Sequence, residues 1–204
     1  MTYPMWSFED KAALNGYKYI AGVDEAGRGP LAGPVVSAAV ILPRSFSCPG
    51  LTDSKQLTPL KREKFYSVIM EEAVAAATAI ATPEEIDTIN ILQASLLSMK
   101  RAVDRLLVTP DYLLVDGIFT IKGGSMVQEP IVHGDEISIS IAAASVLAKV
   151  TRDAMMYEFH LQYPCYGFDR HKGYPTRVHK EAIVTHGPSP IHRKTFRGVK
   201  EFIN

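Results

Sequence analysis

Apolar residues in this chain fall into short runs punctuated by Gly, Pro and polar turns. Residues 19–24 and 34–42 are two such runs, both bounded by Gly and Pro, and they predict strands. A polar loop over 43–58 follows. Pro59 to Glu72 predicts a helix with Pro in its first turn and Leu60, Phe65 and Ile69 expected on one face. The Ala- and Val-rich stretch 73–81 is expected to form a third strand. Thr82-Pro83-Glu84-Glu85 has the form of a helix start, with Thr as N-cap, Pro at N1 and Glu at N3. A longer helix is expected from about Ile91 to Leu107. Tyr112 to Asp116 reads as a buried strand and 126–132 as another. An apolar, Ala-rich helix is then expected from Asp135 to about Gln162. A short helix over 6–15, packing Trp6 and Leu14, precedes the first strand, and a helix near 176–186 lies in the last forty residues. Strands interleaved with helices imply an α/β layer, here with a helical C-terminal lobe.

Composition narrows this picture. With 204 residues, 47% of them hydrophobic, the chain can bury one sizeable core. One domain over 1–204 is expected, with about 163–204 as a basic C-terminal lobe. Cys48 and Cys165 lie far apart in sequence, which fits a reducing compartment without a disulfide framework. No apolar run approaches the ~20 residues of a membrane span. The first ten residues lack a basic segment followed by a long apolar one, so a cytoplasmic protein is expected. A monomer is expected.

Charge adds information through its distribution alone, because Lys+Arg and Asp+Glu are both 22. Residues 168–204 hold His171, Lys172, Arg177, His179, Lys180, His186, His192, Arg193, Lys194, Arg197 and Lys200 against Asp169, Glu181 and Glu201. A basic quarter beside acids elsewhere suits a metal-using protein that cuts a polyanion, and a solvated tail is the plainer alternative. On the first reading Lys172 and Arg193 should add salt-dependent affinity without base specificity.

The most informative segment runs from Tyr19 to Pro30. An apolar strand ends in adjacent carboxylates, Asp24 and Glu25, and passes at once into the turn Gly27-Arg28-Gly29. Such a strand has no packing use for two acids at its tip. The Gly residues free the backbone for positive φ and for close approach to something outside the protein. Hard oxygen ligands beside bare backbone and a guanidinium suit a divalent cation meeting a phosphodiester. A β-turn with solvated acids is the alternative.

Two further acids occupy similar positions, Asp116 at the end of Tyr-Leu-Leu-Val-Asp and Asp135 before the long helix. Strand ends of an open α/β sheet form the crevice where ligands bind. Four carboxylates gathered there would repel unless cations neutralised them, and two divalent ions about 3.5–4 Å apart would also clamp the oxygens of a phosphoryl displacement. Adjacent strand residues point to opposite faces, so Asp24 and Glu25 are expected to share a site only if the strand breaks or bulges at Glu25. Asp116 could instead cap a turn, and Asp135 could be a helix N-cap. Asp153, four residues after Lys149, reads as an i,i+4 ion-pair partner.

These segments resemble prokaryotic type 2 ribonuclease H, the ribonuclease HII family. The resemblance runs from Gly22-Val23-Asp24-Glu25-Ala26-Gly27-Arg28-Gly29-Pro30 through Asp53-Ser54-Lys55, Val115-Asp116-Gly117 and Gly134-Asp135. It continues through Ala148-Lys149-Val150-Thr151-Arg152-Asp153 to His171-Lys172-Gly173-Tyr174-Pro175-Thr176. It implies a ribonuclease H-like mixed sheet flanked by helices, and Mg²⁺ or Mn²⁺ as cofactor at a two-metal site held by Asp24, Glu25, Asp116 and Asp135. It also implies cleavage of RNA in RNA–DNA hybrids and nicking 5′ of ribonucleotides in duplex DNA, leaving 3′-hydroxyl and 5′-phosphate ends. Gly27, Arg28 and Gly29 match the turn that senses the ribose 2′-OH, and Tyr174 matches the aromatic that packs on the following deoxyribose. Lys55 and Lys172 join the expected substrate-binding residues. His133 stands where the family usually has Lys, and Ile118 to Gly123 depart from its usual turn. A hybrid-binding module without catalysis, or a DNA nuclease of the same fold, would be the competing functions. The intact acids argue against the first, and the Gly-Arg-Gly turn with Tyr174 against the second.

Overall fold

The computed structural model describes residues 5–123 and 126–203. Five strands form one mixed sheet: β1 (Ile20–Ala26), β2 (Val35–Ile41), β3 (Ala75–Ala81), β4 (Tyr112–Asp116) and β5 (Val127–Ile131). Their order across the sheet is β3-β2-β1-β4-β5. β1, β2 and β3 run antiparallel, while β4 pairs parallel to β1 and β5 parallel to β4.

The sheet is covered on both faces, which is why β2 is buried along its whole length. Ala38 and Val40 face the helix α5 (Ile139–Gln162), packing with Ala143, Val146 and Leu147 and with Phe65 and Ile69 of α2 (Pro59–Glu72). Ala21, Val23, Ala39 and Leu113 face the other way, onto Leu96, Met99 and Val103 of α3 (Pro83–Asp104). Leu60 is exposed and does not share the face of Phe65 and Ile69. At 100° per residue it lies about 140° from Phe65 around the helix, so the expected three-residue face reduces to two. In α1 (Ser7–Leu14) the buried positions are Glu9 and Ala12, and Leu14 points to solvent.

Several helix ends follow from their caps. Thr82 and Glu85 form the expected capping box, with Glu85 N–H donating to Thr82 Oγ1 at 3.3 Å and Thr82 N–H to Glu85 Oε2 at 2.9 Å. Asn90 interrupts α3 at φ 68°, and its side chain accepts from Leu92 and Gln93 N–H, which restarts the helix there. The helix ends at Asp104, short of Leu107. The Ala-rich helix does not begin at Asp135. A four-residue turn of helix, α4 (Gly134–Ile137), precedes it, with left-handed His133 at the N-cap position, and Ser138 caps α5. Asp135 is therefore not an N-cap. Glu9 takes the place of a capping acid instead, accepting from Ser138 Oγ at 2.6 Å and from Ser140 N–H at 3.0 Å.

After α5 the chain forms a short 3₁₀ turn (Pro164–Tyr166), α6 (Phe168–His171) and α7 (Arg177–His186). Met156, Tyr166, Phe168, Ile183 and Val199 pack around Leu31 and Ala32 of the loop after β1, so the lobe's core is built on that loop. Among the described residues no helix is long and apolar enough to cross a membrane.

The close seating of α5 on β1 depends on Gly22. A Cβ there would lie 2.1 Å from the Ser140 carbonyl carbon and 2.3 Å from the Ile141 nitrogen, both backbone atoms that cannot swing aside. Gly22→Ala should therefore destabilise by about 3 kcal/mol or more, at the upper end of overpacking costs. A melting temperature unchanged from wild type would show that α5 can shift freely on the sheet.

Candidate active site

Strand periodicity sends Asp24 to the α5 side of the sheet and Glu25 to the α3 side. The expected break at Glu25 is absent. β1 stays paired with β2 in register through Asp24↔Ala38, Glu25↔Ser37 and Ala26↔Val36. Pairing with β4, however, ends at Val23↔Val115. Beyond that point both acids flank the strand end beside Asp116, whose charge raises the pKa of each. Without a bulge, Glu25 lines a cleft beside the strand end, and Asp24, on the other face, is buried against Ser145, which lines that cleft too.

Each acid is fixed by its neighbours. Asp24 is buried and hydrogen-bonded to Ser145 of α5, and its Oδ1 also accepts from Glu25 N–H at 2.6 Å. Asp116 Oδ1 accepts from Gly134 N–H at 2.8 Å, so the end of β4 is tied to the start of α4. Asp135 Oδ2 lies 3.8 Å from Lys55 Nζ, which is also 3.9 Å from Asp53 Oδ1. Glu25 Oε1 lies 3.4 Å from Arg28 Nη1. The loop carrying Lys55 is held by Arg62 Nη1, which donates to the Ser54 and Leu57 carbonyls, and by a 2.9 Å contact between the Ser54 and Ser145 hydroxyls.

Burial is the first cause that raises the pKa of all four acids. Mutual repulsion adds to it: Glu25, Asp116 and Asp135 act on Asp24, and Asp116 and Asp53 act on Asp135. Asp135 is pushed up to about 6, although Lys55 opposes the shift. His133 lies exposed beside the cluster and favours the charged form of Asp116. The protein's own cations do not neutralise this basin. Its all-oxygen donor set suits a hard divalent cation, although among the described residues no three His, Cys, Asp or Glu side chains are set to hold an ion as they stand.

The cleft beside the acids measures about 610 Å³ and is lined by Glu25, Gly27, Arg28, Gly29, Lys55, Asp116, Ser145, Lys149, Arg152 and Tyr174. Arg28 and Tyr174 are exposed at its wall, so Tyr174 is not a core aromatic. Gly29 is open, with only Tyr174 Cε1 within 4 Å of where a Cβ would stand, at 3.5 Å. Gly27 is different. Its φ is 101°, and a Cβ would lie 2.0 Å from Arg152 Nε, so Arg152 fills the space a side chain would take, while Gly27 still lines the cleft. Lys172 is half-buried at the far side of Arg152, whose Nη1 donates to its carbonyl at 3.0 Å. The expected ion pair of Lys149 with Asp153 is present at 2.7 Å.

The basic tail needs correction. Arg193 is fully buried and no part of a solvated cationic face. Its Nε donates to the Gly33 carbonyl at 3.0 Å, Nη1 to those of Arg28 and Pro30, and Nη2 to that of Gly27. His179 and His192 are also buried, and desolvation lowers both pKa values to about 4, so neither adds charge near pH 7. The sequence reading also passed over Ser145 and the cleft-facing role of Arg152. Ser145, Lys149 and Arg152 recur at i, i+4 and i+7 in an otherwise apolar helix, the mark of one face turned to something polar.

The ribonuclease HII family model matches residues 21–199. Ribonuclease HII of Geobacter sulfurreducens is 55% identical over 199 residues, covering 98% of this chain and 91% of that protein. Ribonuclease HII of Bacillus licheniformis is 54% identical over 196 residues, covering 96% and 76% respectively. The crystal structure of ribonuclease H2 from Pyrococcus horikoshii OT3 superposes with a TM-score of 0.75 at 28% identity, over 91% of this chain and 97% of the other.

Two outcomes follow from the electrostatics. Because its folded pKa lies above the unfolded value near 3.8, Asp135 binds more protons in the folded state. Its contribution therefore falls as pH rises from about 4 to 6 and stays unfavourable above that. Asp135→Asn should raise the melting temperature of the metal-free protein at pH 8 by roughly 2–4 °C per kcal/mol relieved, and a lower melting temperature would mean that the Lys55 pair outweighs the repulsion. Arg193→Met strands several buried carbonyls and should cost about 3 kcal/mol. The salt slope of substrate affinity should stay as in wild type, and a flattened slope would return Arg193 to the phosphate-contacting set.

Proposed function

From its membership of the ribonuclease HII family, which cleaves RNA in RNA–DNA hybrids, we propose that this chain is a metal-dependent endoribonuclease that also nicks duplex DNA 5′ of embedded ribonucleotides. The observation that carries the reading is the cleft itself, where four acids with raised pKa values, Asp24 and Asp135 buried and Glu25 and Asp116 half-buried, adjoin an exposed guanidinium, an open glycine and an exposed tyrosine ring.

Asp24, Glu25, Asp116 and Asp135 would hold Mg²⁺ or Mn²⁺, which when bound neutralises the acids and polarises both the attacking water and the scissile phosphate. The remaining roles belong to the chain. The exposed Arg28 supplies planar donors to phosphate oxygens at the cleft wall. Lys55, mostly exposed between Asp53 and Asp135, presents an ammonium to the same cleft, and Lys172 precedes Tyr174 by two residues in its loop. In the hydrolysis, water oxygen bonds to phosphorus and the bond from phosphorus to the 3′-oxygen breaks. That oxygen takes up a proton, leaving a 3′-hydroxyl upstream and a 5′-phosphate on the ribonucleotide.

A protein distinguishes RNA from DNA through the 2′-OH or the helix form. Gly29 lets backbone approach a minor-groove hydroxyl where a side chain would intrude. The Tyr174 ring beside it offers a flat face to the next sugar, which fits only if that sugar lacks a 2′-OH. The activity suits removal of RNA primers and of misincorporated ribonucleotides in the cytoplasm, by a monomer.

The test is incubation of a DNA duplex carrying one ribonucleotide with protein and Mg²⁺. Nicking on the 5′ side of the ribonucleotide is expected, with all-DNA duplex left intact, and cleavage of all-DNA duplex would refute the reading. Asp24→Asn and Asp116→Asn should each lower kcat by about 10³-fold or more while substrate binding persists, because one ligand charge supports both metal affinity and the transition state. Substantial turnover by either variant would remove that residue from the site.

A further inference from the structure

The groups that would read the sugars lie on two distant pieces of chain, Gly29 after β1 and Tyr174 in the lobe. Their spacing must be held by something, because the tyrosine's own loop is irregular: Lys172 and Gly173 both have left-handed φ, 51° and 85°. Tyr174 N–H donates to the His171 carbonyl at 2.9 Å, and its carbonyl accepts from Thr176 N–H at 2.8 Å. The same carbonyl also meets His179 Nδ1 at 2.9 Å.

That last contact begins a chain of hydrogen bonds through the lobe. His179 Nε2 is 3.0 Å from His192 Nε2, and His192 Nδ1 is 2.9 Å from the Ser189 backbone nitrogen and 2.7 Å from the Ser189 hydroxyl, which donates to the same lone pair as the backbone N–H. These partners fix every proton. A carbonyl only accepts, so His179 Nδ1 carries hydrogen. An amide N–H only donates, so His192 Nδ1 is bare and its hydrogen sits on Nε2. Neutral His179 then has a bare Nε2, and His192 Nε2–H donates to it. The order of donation runs from His192 to His179 to the Tyr174 carbonyl. Both rings are buried and enclosed by aromatics, Phe168 lying 5.4 Å from His179 and 5.7 Å from His192 by ring centroids. His171 stacks on His179 at 4.5 Å and accepts from Gly173 N–H.

His192 is followed at once by Arg193, whose guanidinium holds the carbonyls of Gly27, Arg28 and Pro30. Two adjacent residues thus reach the two halves of the recognition wall. We propose that His192, acting through His179, is a positioning residue for junction specificity that sets Tyr174 against the Gly-Arg-Gly turn held by Arg193. His192 touches no substrate. The inference rests on Tyr174 packing on the sugar that follows the ribonucleotide. A histidine that merely filled the lobe's core could be replaced by Leu without loss of specificity, whereas a donor could not.

The measurement is the ratio of kcat/KM on a single-ribonucleotide duplex to that on an all-RNA strand paired with DNA. Tyr174→Ala should lower this ratio. His192→Leu should lower it about fivefold, the worth of one buried hydrogen bond, while His192→Gln, whose amide N–H can replace Nε2–H, should stay within about twofold of wild type. The double variant Tyr174→Ala, His192→Leu should be no worse than Tyr174→Ala alone, since both act through one ring. If Tyr174→Ala leaves the ratio unchanged, the reading of Tyr174 fails and the proposal with it. If Tyr174→Ala lowers the ratio and folded His192→Leu does not, the proposal alone fails, as it does if Gln is as poor as Leu. Nitrogen-15 spectra of the wild-type protein near neutral pH give a check that needs no variant. They should show the Nδ1–H tautomer for His179 and the Nε2–H tautomer for His192, and the opposite pair would overturn the proposal.

Discussion

Two guanidiniums buried under one loop hold the Gly-Arg-Gly turn and the C-terminal lobe together. Arg152 donates to the carbonyls of Ala32, Pro34 and Lys172, and Arg193 to those of Gly27, Arg28, Pro30 and Gly33. Their partners are carbonyl oxygens, so the two positive charges are solvated by peptide dipoles and not cancelled by acids. Burial lowers both pKa values, to about 10 and about 9, still far above neutrality. A loop of this length without regular structure would otherwise bury its carbonyls unpaired, at a cost of about 1–3 kcal/mol each. Here the same bonds order the loop and set the backbone of the Gly-Arg-Gly turn.

Across the cleft the sign of the constraint reverses. The sheet delivers Asp24, Glu25 and Asp116 to one place by register alone, and α4 adds Asp135. Hydrophobic packing of α3 and α5 on β1 fixes that register, since a one-residue slip would exchange the faces of Asp24 and Glu25. The core thus stabilises an arrangement that the acids themselves oppose. A site that stores repulsion in this way binds a divalent cation more tightly than relaxed acids would, because binding relieves the repulsion.

The strands were legible because their signals are local. Gly and Pro bounded them, and Thr82-Pro83-Glu84-Glu85 announced its helix through a capping box that formed as expected. Asp24, Glu25 and Asp116 stood out because a charge at the tip of an apolar strand has no packing purpose, and the structure sets them and Asp135 near enough for their charges to act on one another. The errors share one physical cause: a side chain's partner can be distant in sequence. Arg193 reads as one more cation in a basic tail, and only contacts more than 160 residues away show that it is structural. Gly27 reads as a turn glycine alone, and only Arg152, distant in sequence, shows why no Cβ fits there. The alternative of Asp135 as a helix cap falls away because Ser138, steadied by the distant Glu9, starts the helix. The expected bulge at Glu25 assumed that two acids must share a face. Past the end of the β1–β4 ladder, Glu25 lines the cleft from one face while Asp24 sits buried against Ser145 on the other.

These features also explain why recognition and catalysis can be tuned separately on one scaffold. The acids hang on the sheet and on α4, whose positions depend on the central core. The turn and the tyrosine hang on the lobe, through Arg193 on one side and the histidine chain on the other. The two systems meet at α5. Its Ser145 bonds Asp24 near one end of the cleft, and Arg152, two turns later, supports the loop and the Lys172 carbonyl at the other. A continuous helix about 10 Å long between those residues is a stiff spacer, at 1.5 Å per residue. Under the proposed function, substrate specificity would depend on how the lobe seats on that helix, and the chemistry on how the sheet does. A change in lobe packing that leaves Ser145 and Asp24 undisturbed moves Tyr174 and the Gly-Arg-Gly turn relative to fixed acids, so on the proposed reading it would alter which nucleotide is cut before it altered whether cutting occurs.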